Sequence, residues 1–329
     1  MKYIRNELTQ PYYNLAAEEY VLHNLKDDDY ILLWQNAGTV VIGRHQNAAE
    51  EVNLKRAEEL GVKVVRRNTG GGAVYHDLGN LNFSFITKWD PEKDMDYDTF
   101  LRPVIRALAK FGVLAEKQGR NDLVVDGKKI SGNAQCIHRG RILHHGTLLI
   151  DSDLSVMPQV LTVNSDKFES KGIKSIRSRV ANICEYADMP IGAETLKKAL
   201  IESFFEGADA DEYVLTGEQT AEIGKLAKEK YETWDWNIGS YADYSFKNAR
   251  RFPGGKVEVR LDVKNGVIEG CKILGDFLAL VGVEELENAI VGCAAWSHGG
   301  RSEIANALSR FDLPRYYGIS QEELLECFE

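Results

Sequence analysis

The sequence predicts an α+β protein built as two units, and three observations carry that reading. Stretches with apolar residues at helical spacing and stretches that alternate apolar with polar follow one another along most of the chain, so helices and strands interleave. A run of three glycines, Gly70 to Gly72, lies between two strand-like segments rather than between a strand and a helix, unlike the glycine turn of a dinucleotide-binding fold. Beyond about residue 244 the texture changes to strict apolar–charged alternation, and 329 residues exceed what one compact core usually serves. The expected division is 1–240 and 245–329, the second a small α+β module.

From Asn14 to Leu25, Ala17, Val21 and Leu25 recur four apart with Leu22 beside them, predicting a helix with Glu18 and Glu19 on its wet face. Tyr30–Trp34 and Thr39–Ile42 read as strands joined into a β-hairpin by Asn36-Ala37-Gly38. Asn53 caps a short helix, Leu54–Leu60, with Gly61 just past its end, and the strand Lys63–Val65 then feeds the glycines. Leu81–Phe85 alternates as a half-buried strand, and Phe100–Phe111 carries the wide apolar stripe of a core-facing helix with Pro103 in its first turn. The Asp126-Gly127 turn makes a hairpin of Leu123–Val125 and Lys128–Ile130. His144 and His145 are adjacent on the strand His144–Ile150, so they face opposite ways and cannot readily ligate one metal. Helices follow at Glu194–Phe205 and Glu218–Trp234, with Asp235–Tyr244 as the linker. Beyond it, Val257, Val259, Leu261 and Val263 form one strand, Asn265-Gly266 its turn and Val267–Ile273 the return, ahead of helices Glu284–Val291 and Ser302–Leu308.

Bulk properties exclude several classes. The N-terminal ten residues carry charges and no apolar core, and no stretch reaches membrane-spanning length, so a cytoplasmic protein without membrane attachment is expected. Five scattered cysteines with no Cys-x-x-Cys argue against a disulfide framework or zinc site. A net charge of −10 disfavours nucleic acid as a partner. Any polyanion must meet a local basic patch, and Lys167–Arg179 is one, with five cations against Glu169 alone.

Arg66 and Arg67 stand immediately before the glycine stretch. Arginine forks beside bare backbone amides suit carboxylate or phosphate, so Arg66–Asp77 reads as an anion cradle. With Lys129 at the exit of the Asp-Gly hairpin and the basic segment 167–179, the chain holds three separated pieces that suit a nucleoside triphosphate set against an acid to be activated.

Those pieces also resemble a family. Arg66-Arg67-Asn68-Thr69-Gly70-Gly71-Gly72-Ala73-Val74-Tyr75-His76-Asp77-Leu78-Gly79-Asn80 is similar to the lipoate-binding loop of the lipoate–protein ligase A family. Gly119–Val125, Lys129–Ala134, His144–Leu148 and Lys171–Val180 resemble further segments of it, in order, and the C-terminal module matches its bacterial two-domain form. The resemblance implies a biotin/lipoate-ligase fold, a mixed sheet flanked by helices. It implies that lipoate and ATP give lipoyl-AMP and pyrophosphate, after which a lysine of an acceptor lipoyl domain takes the acyl group.

Carried over by position, Arg67, Gly71, Gly72, Ala73, Val74, Tyr75, Lys171, Gly172, Ser178, Arg179 and Val180 would hold ATP or the adenylate. Arg66, Gly70, Gly71, His76 and His145 would hold lipoate, and Lys129 would touch both carboxylate and phosphate as the catalytic residue. Mg²⁺ would accompany ATP, with Asp122 as a possible ligand; Tyr75, His76, Phe83 and Thr39–Ile42 would line a tunnel for the dithiolane, with Arg44 and Asn47 near its mouth. The implied acceptors are lipoyl domains of 2-oxoacid dehydrogenase acyltransferase subunits or the glycine-cleavage H protein. The rival readings are an octanoyl or lipoyl transferase of this fold working through a thioester, with Cys136 and Cys184 as the cysteines nearest the motifs, and a non-catalytic lipoate- or nucleotide-binding protein. A biotin ligase is disfavoured by its different glycine-loop pattern.

Overall fold

The computed structural model describes residues 1–91, 96–162, 179–238, 246–264, 266–295 and 300–328. Its strands in chain order are β1 Lys2–Arg5, β2 Tyr30–Trp34, β3 Thr39–Ile42, β4 Lys63–Arg66, β5 Val74–His76, β6 Asn80–Lys88, β7 Glu116–Gln118, β8 Asp122–Val125, β9 Lys128–His138, β10 Arg141–Leu149, β11 Phe246–Phe252, β12 Gly255–Lys264 and β13 Val267–Gly275. Seven form one sheet in the order β1-β2-β6-β10-β9-β8-β7, mixed because β1 runs parallel to β2 while the other pairs are antiparallel. Alternate residues of β2 divide between two cores: Ile31 and Leu33 pack under helices Asp98–Ala109 and Ala193–Phe204, and Tyr30, Leu32 and Trp34 under helices Pro11–Asn24 and Gly217–Leu226. The expected mixed sheet between helices is what the chain builds.

Two smaller sheets complete the molecule. β4-β3-β5 is mixed, and β11-β12-β13 is antiparallel, with its own apolar cluster drawn from residues 257–328. β2 and β3 therefore belong to different sheets, and the hairpin expected of them is not formed. Each strand finds a longer-range partner instead, β6 for β2 and β4 for β3.

Four other local readings need correction. Glu18 and Glu19 are 2% and 7% exposed, because the first helix is covered by the sheet on one side and by residues 217–231 on the other. Pro103 lies inside its helix, which begins at Asp98, rather than in the first turn. The helix expected over 218–234 stops at Leu226 and continues as a π-helical turn, Ala227–Tyr231. Trp234–Asn237 is then a short helix tied to β4 rather than part of a linker, since Asn237 Oδ1 accepts from the Arg66 amide at 2.9 Å.

Candidate active site

β5, β9 and β10 each turn side chains toward a cavity of about 120 Å³ beside the glycine stretch. Leu15, Trp34, Val41 and Val74 give it an apolar wall. Two buried polar atoms of its lining have no partner among the described residues, His76 Nε2 and Asn133 Oδ1. Asn36 Nδ2 donates to His76 Nδ1 at 3.2 Å, which assigns the ring proton to Nε2, so the cavity offers one free donor and one free acceptor. Burial pushes His76 down to about 3, and the ring is neutral near pH 7. A larger, open cleft of about 810 Å³ lies elsewhere, between Trp89 and Arg315, and gathers none of the candidate site residues named from the sequence.

The glycines have a different physical reason from the one expected. Gly71 N donates to Phe277 O at 3.1 Å. A Cβ on Gly70 would lie 2.6 Å from that oxygen and 2.9 Å from Ala279 N, both backbone atoms. Gly70 is thus bare because the chain's own C-terminal module presses on it, Gly71 because its φ of 90° lies in the left-handed region, and Gly72 faces open space.

The arginines are not free forks either. Arg66 is 6% exposed and donates to the carbonyls of Gly43, Arg44, Gln46, Trp236 and Asn237. It ties three segments together and does not line the cavity. Arg67 does line it, but one guanidinium nitrogen donates to Gly70 O at 2.6 Å and Gly72 O at 2.9 Å, so this side chain sets the loop's curvature. Ala73 and Val74 face the cavity, whereas Tyr75, one residue on, packs on the opposite face of β5 among Val40, Val62 and their neighbours. Phe83 lies in the main core, and Arg44 pairs with Glu284 at 2.8 Å.

Behind the loop runs a buried relay that the sequence reading missed. Ser84 Oγ donates to Glu18 Oε1 at 2.5 Å, and His145 Nδ1 lies 3.0 Å from the same oxygen. A carboxylate only accepts, so Nδ1 carries the proton and Nε2 accepts from Thr69 Oγ1 at 2.7 Å. Thr69 in turn accepts from Arg67 Nε at 2.9 Å. Glu18 and Arg67 are thereby compensating buried charges joined through His145 and Thr69. Glu19 faces the other way, to Lys230 at 2.7 Å, Tyr231 at 2.6 Å and Asn68 at 3.0 Å. Burial would raise the Glu19 pKa, but these partners outweigh it and hold the carboxyl below its ordinary range. Two adjacent glutamates inside Ala-Ala-Glu-Glu-Tyr-Val-Leu were the available signal. His144, on the other face of β10, stacks on Phe100 at 4.5 Å in the core, as the two-residue period requires.

The β8–β9 hairpin carries Lys129 to the cavity, where its Nζ meets Asp122 Oδ1 at 2.7 Å, each side chain about one third exposed. Gly132 lies bare beneath the lysine, since a Cβ there would stand 2.9 Å from Cε and Nζ. Lys129 N donates to Arg179 O at 2.7 Å and Lys129 O accepts from Ala181 N at 3.0 Å, so the described end of the basic segment, with Val180, is fastened to the lysine. Lys171, Gly172 and Ser178 lie outside the described residues. Asp122, a possible metal ligand by the resemblance, pairs with Lys129, and among the described residues no three His, Cys, Asp or Glu side chains converge on a metal site. Of the two cysteines, Cys136 is buried and its thiol pushed up to about 12 by burial, while Cys184 is exposed and also raised, by burial and by Asp151.

Residues 10–205 match the family model described as the lipoyl protein ligase A/B catalytic domain, and 242–328 match that of the bacterial lipoate protein ligase C-terminus. The chain is 46% identical to lipoate-protein ligase LplJ of Bacillus subtilis over 99% of each chain. Among solved structures it is similar to P. falciparum LipL1 in complex with lipoate, with a TM-score of 0.79, 27% identity and 94% of each chain covered. It is similar to a bipartite lipoate protein ligase of Thermoplasma acidophilum described with its E2 lipoyl domain, with a TM-score of 0.65, 33% identity, and 74% of this chain and 98% of that one covered. A lipoate-protein ligase A bound with ATP matches with a TM-score of 0.62 and 31% identity over 73% of this chain and 99% of that one.

Proposed function

The chain belongs to the lipoyl protein ligase A/B family, and from that premise we propose that it is an ATP-dependent lipoate–protein ligase. In the first step a lipoate carboxylate oxygen attacks the α-phosphorus of ATP and pyrophosphate leaves. In the second, the ε-amine of an acceptor lysine attacks the acyl carbon of the mixed anhydride, forming an amide, and AMP leaves. The observation that carries this reading is that one cavity joins an apolar wall, the Gly71–Val74 backbone and the Lys129 ammonium.

Lys129 is the catalytic residue in this reading. Carboxylate and phosphate repel as they approach, and a fixed ammonium between them lowers that repulsion and stabilises the charge that builds up in the transition state. Asp122 holds the ammonium until the anions arrive, at 2.7 Å in the structure. Arg67, acting through the loop it shapes, sets Gly71, Gly72, Ala73 and Val74 against the nucleotide, and Tyr75 contributes backbone alone. Lys171, Gly172, Ser178, Arg179 and Val180 bind the adenylate, and His76 and His145 face the lipoyl group. ATP would enter as its magnesium complex, the ion arriving with the co-substrate's phosphates and water and offsetting their charge.

The acceptors in this reading are lipoyl domains of 2-oxoacid dehydrogenase acyltransferase subunits or the glycine-cleavage H protein, met in the cytoplasm. Among the described residues no helix is long and apolar enough to cross a membrane. We read 1–240 as the catalytic unit and 245–329 as the accessory one. Both cysteine pKa values rise, against what a thioester transferase needs of its nucleophile. Pyrophosphate exchange with lipoate, octanoate and biotin side by side tests the reading. Lipoate-dependent exchange is expected, without biotin, and the octanoate arm reads the acid preference; exchange with none of them overturns the reading.

A further inference from the structure

The cavity is finished by a residue more than a hundred positions further along the chain. Among its described lining residues, Leu278 alone comes from beyond Thr147. The backbone around it is clamped to the catalytic unit at three points. Phe277 O accepts from Gly71 N at 3.1 Å, Leu280 O accepts from Ile137 N at 2.7 Å, and Gly275 N donates to His45 O at 2.8 Å. The Phe277 ring lies parallel to His45, 3° apart with centroids at 5.3 Å. Phe277 and Ala279 are buried at 0% and 2% exposure, so between two fixed neighbours Leu278 turns its side chain to the cavity, with Cδ2 3.0 Å from the Cβ position of Gly71.

We propose that Leu278 is a specificity-determining residue, a wall of the C-terminal module that sets the length and bulk of the acyl chain the cavity takes. The proposal rests on the ligase reading above, in which the cavity holds the acid. A narrow apolar cavity discriminates by contact and fit, and one methylene gained or lost there changes relative affinity by roughly tenfold or more. All three clamps are backbone hydrogen bonds, so trimming the side chain leaves the segment's anchors in place.

The test is calorimetric binding of hexanoate, octanoate, decanoate and lipoate to the full chain, as wild type, Leu278→Ala and Leu278→Phe. L278A should raise the decanoate-to-hexanoate affinity ratio about tenfold, and L278F should lower it by a similar factor. A ratio within twofold of wild type in both variants overturns the proposal, including the case where all four acids weaken together because the segment merely undocks. Wild type that binds none of the acids overturns it as well. Variants that move the ratio in a protein showing no acid-dependent pyrophosphate exchange would uphold the role of Leu278 and refute the ligase reading.

Discussion

Gly132→Ala separates the position of the catalytic ammonium from its presence. A Cβ at residue 132 would stand 2.9 Å from both Cε and Nζ of Lys129, closer than such contacts occur, while Asp122 Oδ1 at 4.0 Å is in ordinary contact. The clash falls on the tip of a flexible side chain, so the lysine moves and the sheet does not. Removing a glycine from β9, where its backbone is not left-handed, should leave stability unchanged or raise it by up to about 1 kcal/mol. Displacing a catalytic group by about 1 Å costs on the order of a hundredfold in rate. Lys129→Ala, which deletes the ammonium, should lose roughly a hundred- to a thousandfold. Acid-dependent pyrophosphate exchange and urea unfolding on the two single variants and the double read all of this. The double variant should be no slower than K129A, because the added methyl acts only through Lys129. G132A exchanging within twofold of wild type, or slowing K129A as much as it slows wild type, would refute the reasoning.

Three further outcomes follow from the loop and its supports. Nitrogen NMR of the imidazoles should find the His145 proton on Nδ1, and Glu18→Gln should cost about 2 kcal/mol in urea unfolding by removing a charged acceptor from the relay; a proton on Nε2 in wild type contradicts that relay. Gly70→Ala should push Phe277–Ala279 off the loop and speed hydrogen exchange at the Gly71 and Ile137 amides at least fivefold (roughly a 1 kcal/mol loss of local stability), while Gly72→Ala leaves both unchanged; equal protection in the two variants would remove the steric account of Gly70. Burial holds His45 and His76 at about 3 and His144 well below its usual value. Unfolded chains take up protons near pH 6.5 that these folded imidazoles refuse, so stability is full above 6.5 and declines as pH falls toward 3. His45 and His76 each contribute a loss of roughly 2 kcal/mol between pH 6.5 and 5, His144 acts in the same direction, and urea midpoints that hold steady or rise from pH 7 to 5 would contradict the sign.

Local chemistry was readable from the chain, and long-range partners were not. The Asp126-Gly127 turn, the Asn53 cap and the opposed faces of His144 and His145 depend on near neighbours, and the structure contains all three. Gly70 and Gly71 announced a close approach, but nothing nearby in sequence says that what approaches is Phe277. Glu18 and Glu19 were placed in water because helical periodicity shows one apolar face; it cannot show that residues 217–231 cover the other. The β2–β3 hairpin failed for the same reason, its short turn outweighed by ladders to β6 and β4. Lys129 was found by resemblance, whereas its hold by Asp122 and the bare Gly132 beneath it needed the hairpin's register.

Mass spectrometry of the full chain incubated with lipoate and magnesium ATP, without any acceptor, addresses the central claim most directly. Non-covalent lipoyl-AMP, formed and retained by wild type and formed at least about a hundredfold more slowly by Lys129→Ala, is the predicted result. A covalent lipoyl adduct on the protein itself, or adenylate formed equally well without the lysine, would contradict the account.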